Sequence, residues 1–365
     1  MILKKLWLKD FRNIPEACIN PDPVFNIFWG NNAQGKTNIL EAIYLLGALK
    51  SFRLARSEEM IRKGSRQSLV KGETESGGVN QELQISLDYS GKKPLLNGKQ
   101  VNQASKFFRC LRPILFAPEE VALIKGAPAG RRSLLDRAIF QTDPGYLTIA
   151  QDFDRILRQR NRLLKERCKP AELVPWTAAL VRTGALIRHQ RYMFLKRLVP
   201  LFRTSYQQIC AGAEEADLLY PEGGVDIAGL EETLFRSTER SAETERQAGI
   251  TLTGPHRDDP CFTINGLPVR QFASQGQQRS LLLAFKTAQI IDLEKITGEP
   301  PILLLDDLTG ELDQNRQKYF FNFLLQREGQ VFMTTTDPGP LQSEGFSQAR
   351  TFEVKAGVLK SVHSC

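Results

Sequence analysis

Val24-Phe25-Asn26-Ile27-Phe28-Trp29-Gly30-Asn31-Asn32-Ala33-Gln34-Gly35-Lys36-Thr37 decides the fold. Val24 to Trp29 is an apolar run of the kind that fills a strand buried on both faces. Gly30 to Thr37 has the spacing G-x-x-x-x-G-K-T. Beyond it, Ile39, Leu40, Ile43, Leu46 and Leu49 predict a helix over Thr37 to Leu49 with these residues on roughly one side. A strand that runs into a glycine loop and out into a helix is the context of a phosphate-binding loop. Consecutive backbone N–H groups, aided by the helix N-terminus, can wrap a phosphate. Lys36 would reach the outer phosphates and the Thr37 hydroxyl would ligate Mg²⁺. The nucleotide-binding set is Gly30, Asn31, Asn32, Ala33, Gln34, Gly35, Lys36, Thr37 and Asn38.

Two later segments extend this reading. Ile302-Leu303-Leu304-Leu305 is a second buried-strand run, and it ends in Asp306-Asp307. Asp306 is the expected magnesium carboxylate. Asp307, pointing to the opposite side if the strand stays regular, is the catalytic candidate that places the attacking water, together with Lys36. Ser274-Gln275-Gly276-Gln277-Gln278 stands ahead of this strand and before the apolar helix positions Leu281, Leu282, Leu283 and Phe285. A Ser-x-Gly-Gln segment in that place is similar to the signature of ABC-type ATPases. There one subunit's serine, glycine N–H and helix N-terminus complete the nucleotide site of another. Glu311-Leu312-Asp313 follows, where such ATPases place an interface loop, and Thr334-Thr335-Thr336-Asp337 stands after the next strand, where transporter relatives usually have a histidine, which leaves a threonine hydroxyl as the expected γ-phosphate sensor. Arg12-Asn13, between the first two predicted strands, is the candidate for the base and ribose.

Periodicity organises the rest. Short strands with Gly-Gly, Ser-Gly and Asn-Gly turns occupy about 68–101, as an inserted antiparallel β subdomain would. From about Ala127 to Gln247 the pattern is helical, interrupted at Pro170, Pro175, Pro200 and Gly223-Gly224. The expected fold is α/β: an ABC-type ATPase head with an inserted antiparallel β subdomain and a helical lobe. Its parts are 1–126, an N-terminal ATPase part with the phosphate loop; 127–248, the helical insertion; and 249–365, a C-terminal ATPase part with the signature and the acidic strand.

The 365 residues carry 41% hydrophobic and 25% charged residues, a globular balance. No apolar run approaches the ~20 residues of a membrane helix, and charge interrupts the N-terminus too early for a signal-peptide core. The six cysteines are scattered without a C-x-x-C pair, and there are three histidines. Reduced thiols in the cytoplasm are therefore expected, and a multi-histidine metal site is not. The net charge is +8. Ala150 to Ser205 holds 13 Lys or Arg against 4 Asp or Glu, which accounts for the whole excess. Within it Arg155, Arg158, Arg162 and Lys165 recur every three or four residues and predict a basic helix stripe able to neutralise DNA phosphates. Arg131-Arg132 is a second DNA candidate. Thr253-Gly254-Pro255-His256-Arg257-Asp258-Asp259 reads as a dense polar turn.

Five segments in order resemble the RecF family of bacterial DNA replication and repair proteins. They are Leu8 to Asn13, Gly30 to Ile43, Phe116 to Glu119 with Gly130-Arg131-Arg132, Thr253 to Asp259, and Ser274 to Arg279 with Leu303 to Asp313. The resemblance implies an SMC-like head without the long arm, ATP-dependent homodimerisation and weak DNA-stimulated ATPase activity. It also implies binding to duplex beside single-stranded gaps, and partnership with RecR and RecO in loading RecA for gap repair and the SOS response. Thr309-Gly310 departs from the family, which more often has an aromatic or aliphatic residue and serine there. Two other classes share parts of the pattern. A transporter ATPase subunit is disfavoured by the 238 residues between Lys36 and Ser274, and a chromosome-organising head by the lack of sustained heptads.

Overall fold

The computed structural model describes residues 1–101, 107–307, 313–339, 345–346 and 348–362. They form two compact units: Met1–Glu120 with Leu293–Cys365, and Val121–Asp292.

The first unit contains two six-stranded sheets. One is antiparallel and runs in the order Ile14–Ile19, Ile2–Phe11, Gln67–Ser76, Val79–Asp88, Gly91–Leu96, Lys99–Gln100. It incorporates the expected β subdomain and also the strand Ile14–Ile19. The other runs Val358–Val362, Arg350–Lys355, Phe25–Trp29, Val331–Thr335, Ile302–Leu305, Pro113–Phe116. Every pairing in it is parallel except that of the edge hairpin Arg350–Lys355 with Val358–Val362. Helix Lys36–Ala48 shares one core with inward residues of both sheets, such as Leu6, Val70 and Ile85 of the first and Phe28, Leu304 and Phe332 of the second. It is consequently buried almost all round, including Glu41, rather than on the single side its spacing suggested.

The second unit is built on helices Pro128–Thr142, Pro144–Lys165, Pro170–Ile209 and Ile227–Ala248. Pro170–Ile209 runs unbroken through Pro175 and Pro200, two of the expected interruptions. Each proline removes one bond of the ladder. The buried row Leu180, Ala185, Phe194, Leu198, Phe202 and Tyr206 supplies packing that holds the helix together. A three-stranded sheet joins Ala216–Leu219, Cys261–Ile264 and Leu267–Pro268.

The division differs from the expected 127–248 insertion. Residues 249–292 belong with the helices, signature segment included. Cys261–Ile264 pairs antiparallel with Ala216–Leu219, and Asp258 and Asp259 are bonded to Arg188 and Arg131. The local pattern of strand after helix suggested a return to the first sheet, but strand partners are a long-range property that such a pattern does not encode.

Candidate nucleotide-binding site

The phosphate loop leaves strand Phe25–Trp29 and enters helix Lys36–Ala48. Gly30 and Gly35 have φ of 144° and 113°. At Gly35 a Cβ would lie 2.6 Å from the Asn13 side chain, so both its torsion and its surroundings require glycine. Gly35 caps the helix with its backbone alone, which leaves N–H groups of the first turn aimed out of the helix. Lys36 Nζ donates to Gly30 O at 2.5 Å and Asn31 O at 3.0 Å. Burial pushes its pKa down, while Asp307 and Asp306 oppose that shift.

Because Phe25–Trp29, Val331–Thr335 and Ile302–Leu305 are parallel neighbours, their C-terminal ends meet beside the loop. The Thr37 hydroxyl donates to Asp306 Oδ1 at 2.9 Å and the Thr334 hydroxyl donates to the same oxygen at 2.7 Å. Asp307 N–H donates to Thr334 Oγ1 at 3.0 Å. Burial raises the Asp306 pKa, and the hydrogen bonds from Thr334 and Thr37 counter it. Asp307 departs from the expected alternation. The strand ends at Leu305, and Asp307 takes a left-handed conformation with φ of 48°. It nevertheless lines the same pocket of about 340 Å³ as Asn32 to Asn38, Arg53, Asp306 and Thr334.

Arg12 and Asn13 are not among the residues lining that pocket. Arg12 donates Nε and Nη2 to the two oxygens of the fully buried Glu41, at 2.8 and 2.7 Å, and Nη1 to Glu59 O. Asn13 braces the loop instead: its Nδ2 donates to Gln34 O at 3.0 Å and its Oδ1 accepts from Asn38 Nδ2 at 2.8 Å. Gln34 is held from the other side by Ala356 N–H and Gly357 N–H of the edge hairpin. Arg53, which sequence reasoning missed, lines the pocket and donates to Asn38 Oδ1 at 3.1 Å. It lies after the helix, outside every motif, and only the folded chain brings it there. Glu311 and Leu312 lie outside the described residues. Asp313 caps helix Gln314–Leu325 by accepting from Arg316 N–H.

The remaining candidates belong to the second unit. Ser274 starts helix Gln275–Thr297 with a reciprocal cap: Ser274 N–H donates to Gln277 Oε1 at 2.8 Å and Gln277 N–H donates to Ser274 Oγ at 3.2 Å. Ser274 and Gln275 are exposed, and Gly276 is partly so. Arg155, Arg158, Arg162 and Lys165 are all exposed on helix Pro144–Lys165. Arg155 pairs with Asp152 and Arg162 with Glu166. Arg131 is buried and forms a two-pronged pair with Asp259, so it is not a free DNA contact. The neighbouring Arg132 donates to Asp258 O at 2.6 Å. Asp258 is buried among Arg188, Tyr220 and Arg191. The Thr253–Asp259 turn is thus an internal polar knot that ties helices together. His256 Nε2 lies 3.2 Å from Thr251 O, and burial pushes its pKa down.

A family model described as the RecF/RecN/SMC N terminal domain matches residues 2–359. A DNA replication and repair protein RecF of Syntrophotalea carbinolica is 50% identical over 98% of this chain and 99% of its own. This chain belongs to the RecF family. A RecF of Geotalea uraniireducens is 42% identical over 98% and 99% of the two chains. A solved structure of the recombination mediator protein RecF-ATP in the RecFOR pathway superposes with TM-score 0.88 over 99% of both chains at 28% identity. The Smc head domain of Pyrococcus furiosus, 16% identical at TM-score 0.57, over 99% of this chain and 96% of its own, shares the fold. The family is one of ABC-type ATPases that act in DNA replication and repair, so the expected α/β head is the fold observed. Among the described residues no helix is long and apolar enough to cross a membrane.

In this RecF-family chain the donor sets suit the groups the family implies. The loop offers exposed backbone N–H groups and a lysine, as phosphates require. Thr37 and Asp306 offer hard oxygens, which suit Mg²⁺ when phosphate and water fill its other positions. Among the described residues no cluster of three or more His, Cys, Asp or Glu could hold a metal ion.

Proposed function

We propose that this chain is an ATP-driven, DNA-binding switch of recombinational repair, in which two copies close on two ATP molecules with Lys36 of one facing Ser274 of the other. The observation that carries the proposal is the convergence of Lys36, Thr37, Asp306, Asp307 and Thr334 at one pocket, in a chain that also exposes a capped Ser-x-Gly-Gln helix start. Gly30 to Asn38 would hold the phosphates, and Thr37 with Asp306 the magnesium, which neutralises developing phosphate charge when bound. Lys36, whose pKa burial lowers while Asp307 and Asp306 oppose the shift, would bring its ammonium to the outer phosphates. Asp307 stands exposed in the pocket, where its carboxylate can orient water. Ser274 Oγ accepts one hydrogen bond from Gln277 N–H, which leaves its own hydrogen to donate to the other copy's γ-phosphate. Slow hydrolysis then opens the dimer.

The exposed stripe Arg155, Arg158, Arg162 and Lys165 supports binding to duplex beside a single-stranded gap. Similarity to RecF proteins supports action with RecR and RecO in loading RecA, in the cytoplasm. Sedimentation velocity with Mg·ATP against Mg·ADP, with and without a gapped duplex, tests the proposal. A dimer with ATP, reinforced by the duplex and abolished by Ser274→Arg, is expected. A Ser274→Arg protein that still dimerised with ATP would overturn the shared site.

A further inference from the structure

The signature segment does not set its own geometry. Gln277 has a two-ended amide: its Oε1 accepts from Ser274 N–H at 2.8 Å, and its Nε2 donates to Glu214 Oε1 at 2.7 Å. The other oxygen of Glu214 accepts from the phenol of Tyr206 at 2.7 Å. Tyr206 is fully buried near the end of helix Pro170–Ile209, so its hydroxyl is a fixed point of the second unit's core. The backbone around Glu214 is fixed as well. Glu215 N–H donates to Asn265 Oδ1 at 2.9 Å, Asn265 N–H donates to Glu215 O at 2.7 Å, and Ala216 then enters the strand paired with Cys261–Ile264.

A carboxylate only accepts hydrogen bonds, whereas a glutamine amide fits either way round. Glu214 therefore compels the NH₂ end of Gln277 to face it and turns the carbonyl end toward Ser274 N–H. With the amide reversed, its NH₂ group would meet the Ser274 N–H, two donors with no acceptor between them, and the cap would open. Losing that bond releases the Ser274 backbone, and with it the placement of the hydroxyl that accepts from Gln277 N–H at the start of helix Gln275–Thr297.

We infer that Glu214 is a positioning residue of the signature, acting through Gln277 to hold Ser274 in the orientation that completes a nucleotide site of a second copy. This deepens the shared-site reading and rests on it. Glu214 lies 60 residues before Ser274 and outside every motif, so the inference comes from the folded chain alone.

The test uses the full chain with Glu214→Lys, which presents donors in place of acceptors, and Glu214→Gln, which retains an acceptor oxygen. Two readouts separate the brace from the reading beneath it. Hydrogen exchange in the segment around Ser274 and Gln277 reports the cap without any nucleotide. Glu214→Lys should speed it about tenfold and Glu214→Gln should leave it near the parent rate. ATP-driven dimerisation, followed by sedimentation velocity, should weaken about tenfold in Glu214→Lys and recover in Glu214→Gln, with the affinity of the monomer for a fluorescent ATP analogue unchanged in both. Unchanged exchange in Glu214→Lys overturns the brace. Faster exchange with undiminished dimerisation, alongside a Ser274→Arg control that fails to dimerise, overturns the positioning role. Dimerisation of the Ser274→Arg control itself overturns the shared-site reading and the inference with it.

Discussion

Replacing Arg12 by alanine separates two roles that sequence and structure assign to it. In the structure its guanidinium spans both oxygens of Glu41, whose carboxylate is fully buried, while the arginine side chain keeps 19% of its surface exposed. Arg12→Ala leaves Glu41 Oε1 with the bond it accepts from the Ser51 hydroxyl, at 2.5 Å. Breaking a buried pair from one side costs about 3–5 kcal/mol. The partial exposure of Arg12 lets water reach the gap and favours the lower end, about 3 kcal/mol. For a urea dependence of about 3 kcal/mol per molar, that moves the unfolding midpoint down by about 1 M. Trp7 and Trp29 belong to the first unit and Trp176 to the second. Urea titration of a Trp176→Phe background by tryptophan fluorescence therefore reads the unit in question.

The double variant Arg12→Met with Glu41→Gln removes both charges and keeps an acceptor for Ser51. It should recover more than half of the loss. Its affinity for ATP should stay within about threefold of the parent. A midpoint unmoved by Arg12→Ala, together with a tenfold or larger fall in ATP affinity of about 1.4 kcal/mol or more, would refute the reasoning and return Arg12 to the base and ribose.

Lys36→Met should weaken binding of a fluorescent ATP analogue by about tenfold or more while the protein remains folded, as equilibrium titration and circular dichroism would show. Burial raises the Asp306 pKa above its ordinary 3.8, so the folded state binds that proton more tightly than the unfolded state, and stability falls as pH rises from 3.8 through the raised value. Asp306→Asn removes this titration and keeps an acceptor for Thr37 and Thr334. Without magnesium, it should melt above the parent at neutral pH and match it below pH 3.8, while losing ATP hydrolysis; a lower melting point at neutral pH would contradict this. Arg158→Glu with Arg162→Glu should weaken duplex binding and reduce the slope of log affinity against log salt by about 2, and unchanged binding would place the DNA surface elsewhere.

The loop, the acidic strand and the helix start at Ser274 were legible as local structure because each is a short run whose form depends on neighbours in sequence. Gly30 and Gly35 announce a backbone that other residues cannot adopt, and Leu305-Asp306 announces the end of a buried strand. What was hidden depends on distant partners. Arg12 and Arg131 read as free cations, yet Glu41 and Asp259 claim them, from 29 and 128 residues away. Arg53 carries no motif and reaches the pocket because the chain folds back after the helix. The 249–292 segment changed units because Cys261–Ile264 finds its strand partner in Ala216–Leu219. An exposed arginine and a buried, paired one look alike in a sequence, since burial is decided by the partner.

Strand order explains why Thr334 carries weight that its position in the chain conceals. Val331–Thr335 lies between the strand that feeds the loop and the strand that ends at the acidic pair, so its last residues fall between the phosphate cradle and the carboxylates. A hydroxyl both donates and accepts. Thr334 uses the first capacity on Asp306 and the second on Asp307 N–H. One side chain thereby fixes the expected magnesium ligand and the backbone of the expected water-placing residue. The hydroxyl also offsets part of the burial cost of the Asp306 charge. A change that pulled Asp306 toward a bound cation would stretch its bond to Thr334 and so bear on the backbone of Asp307. In the proposed mechanism, cation binding and water placement would be linked through two hydrogen bonds, at 2.7 and 3.0 Å.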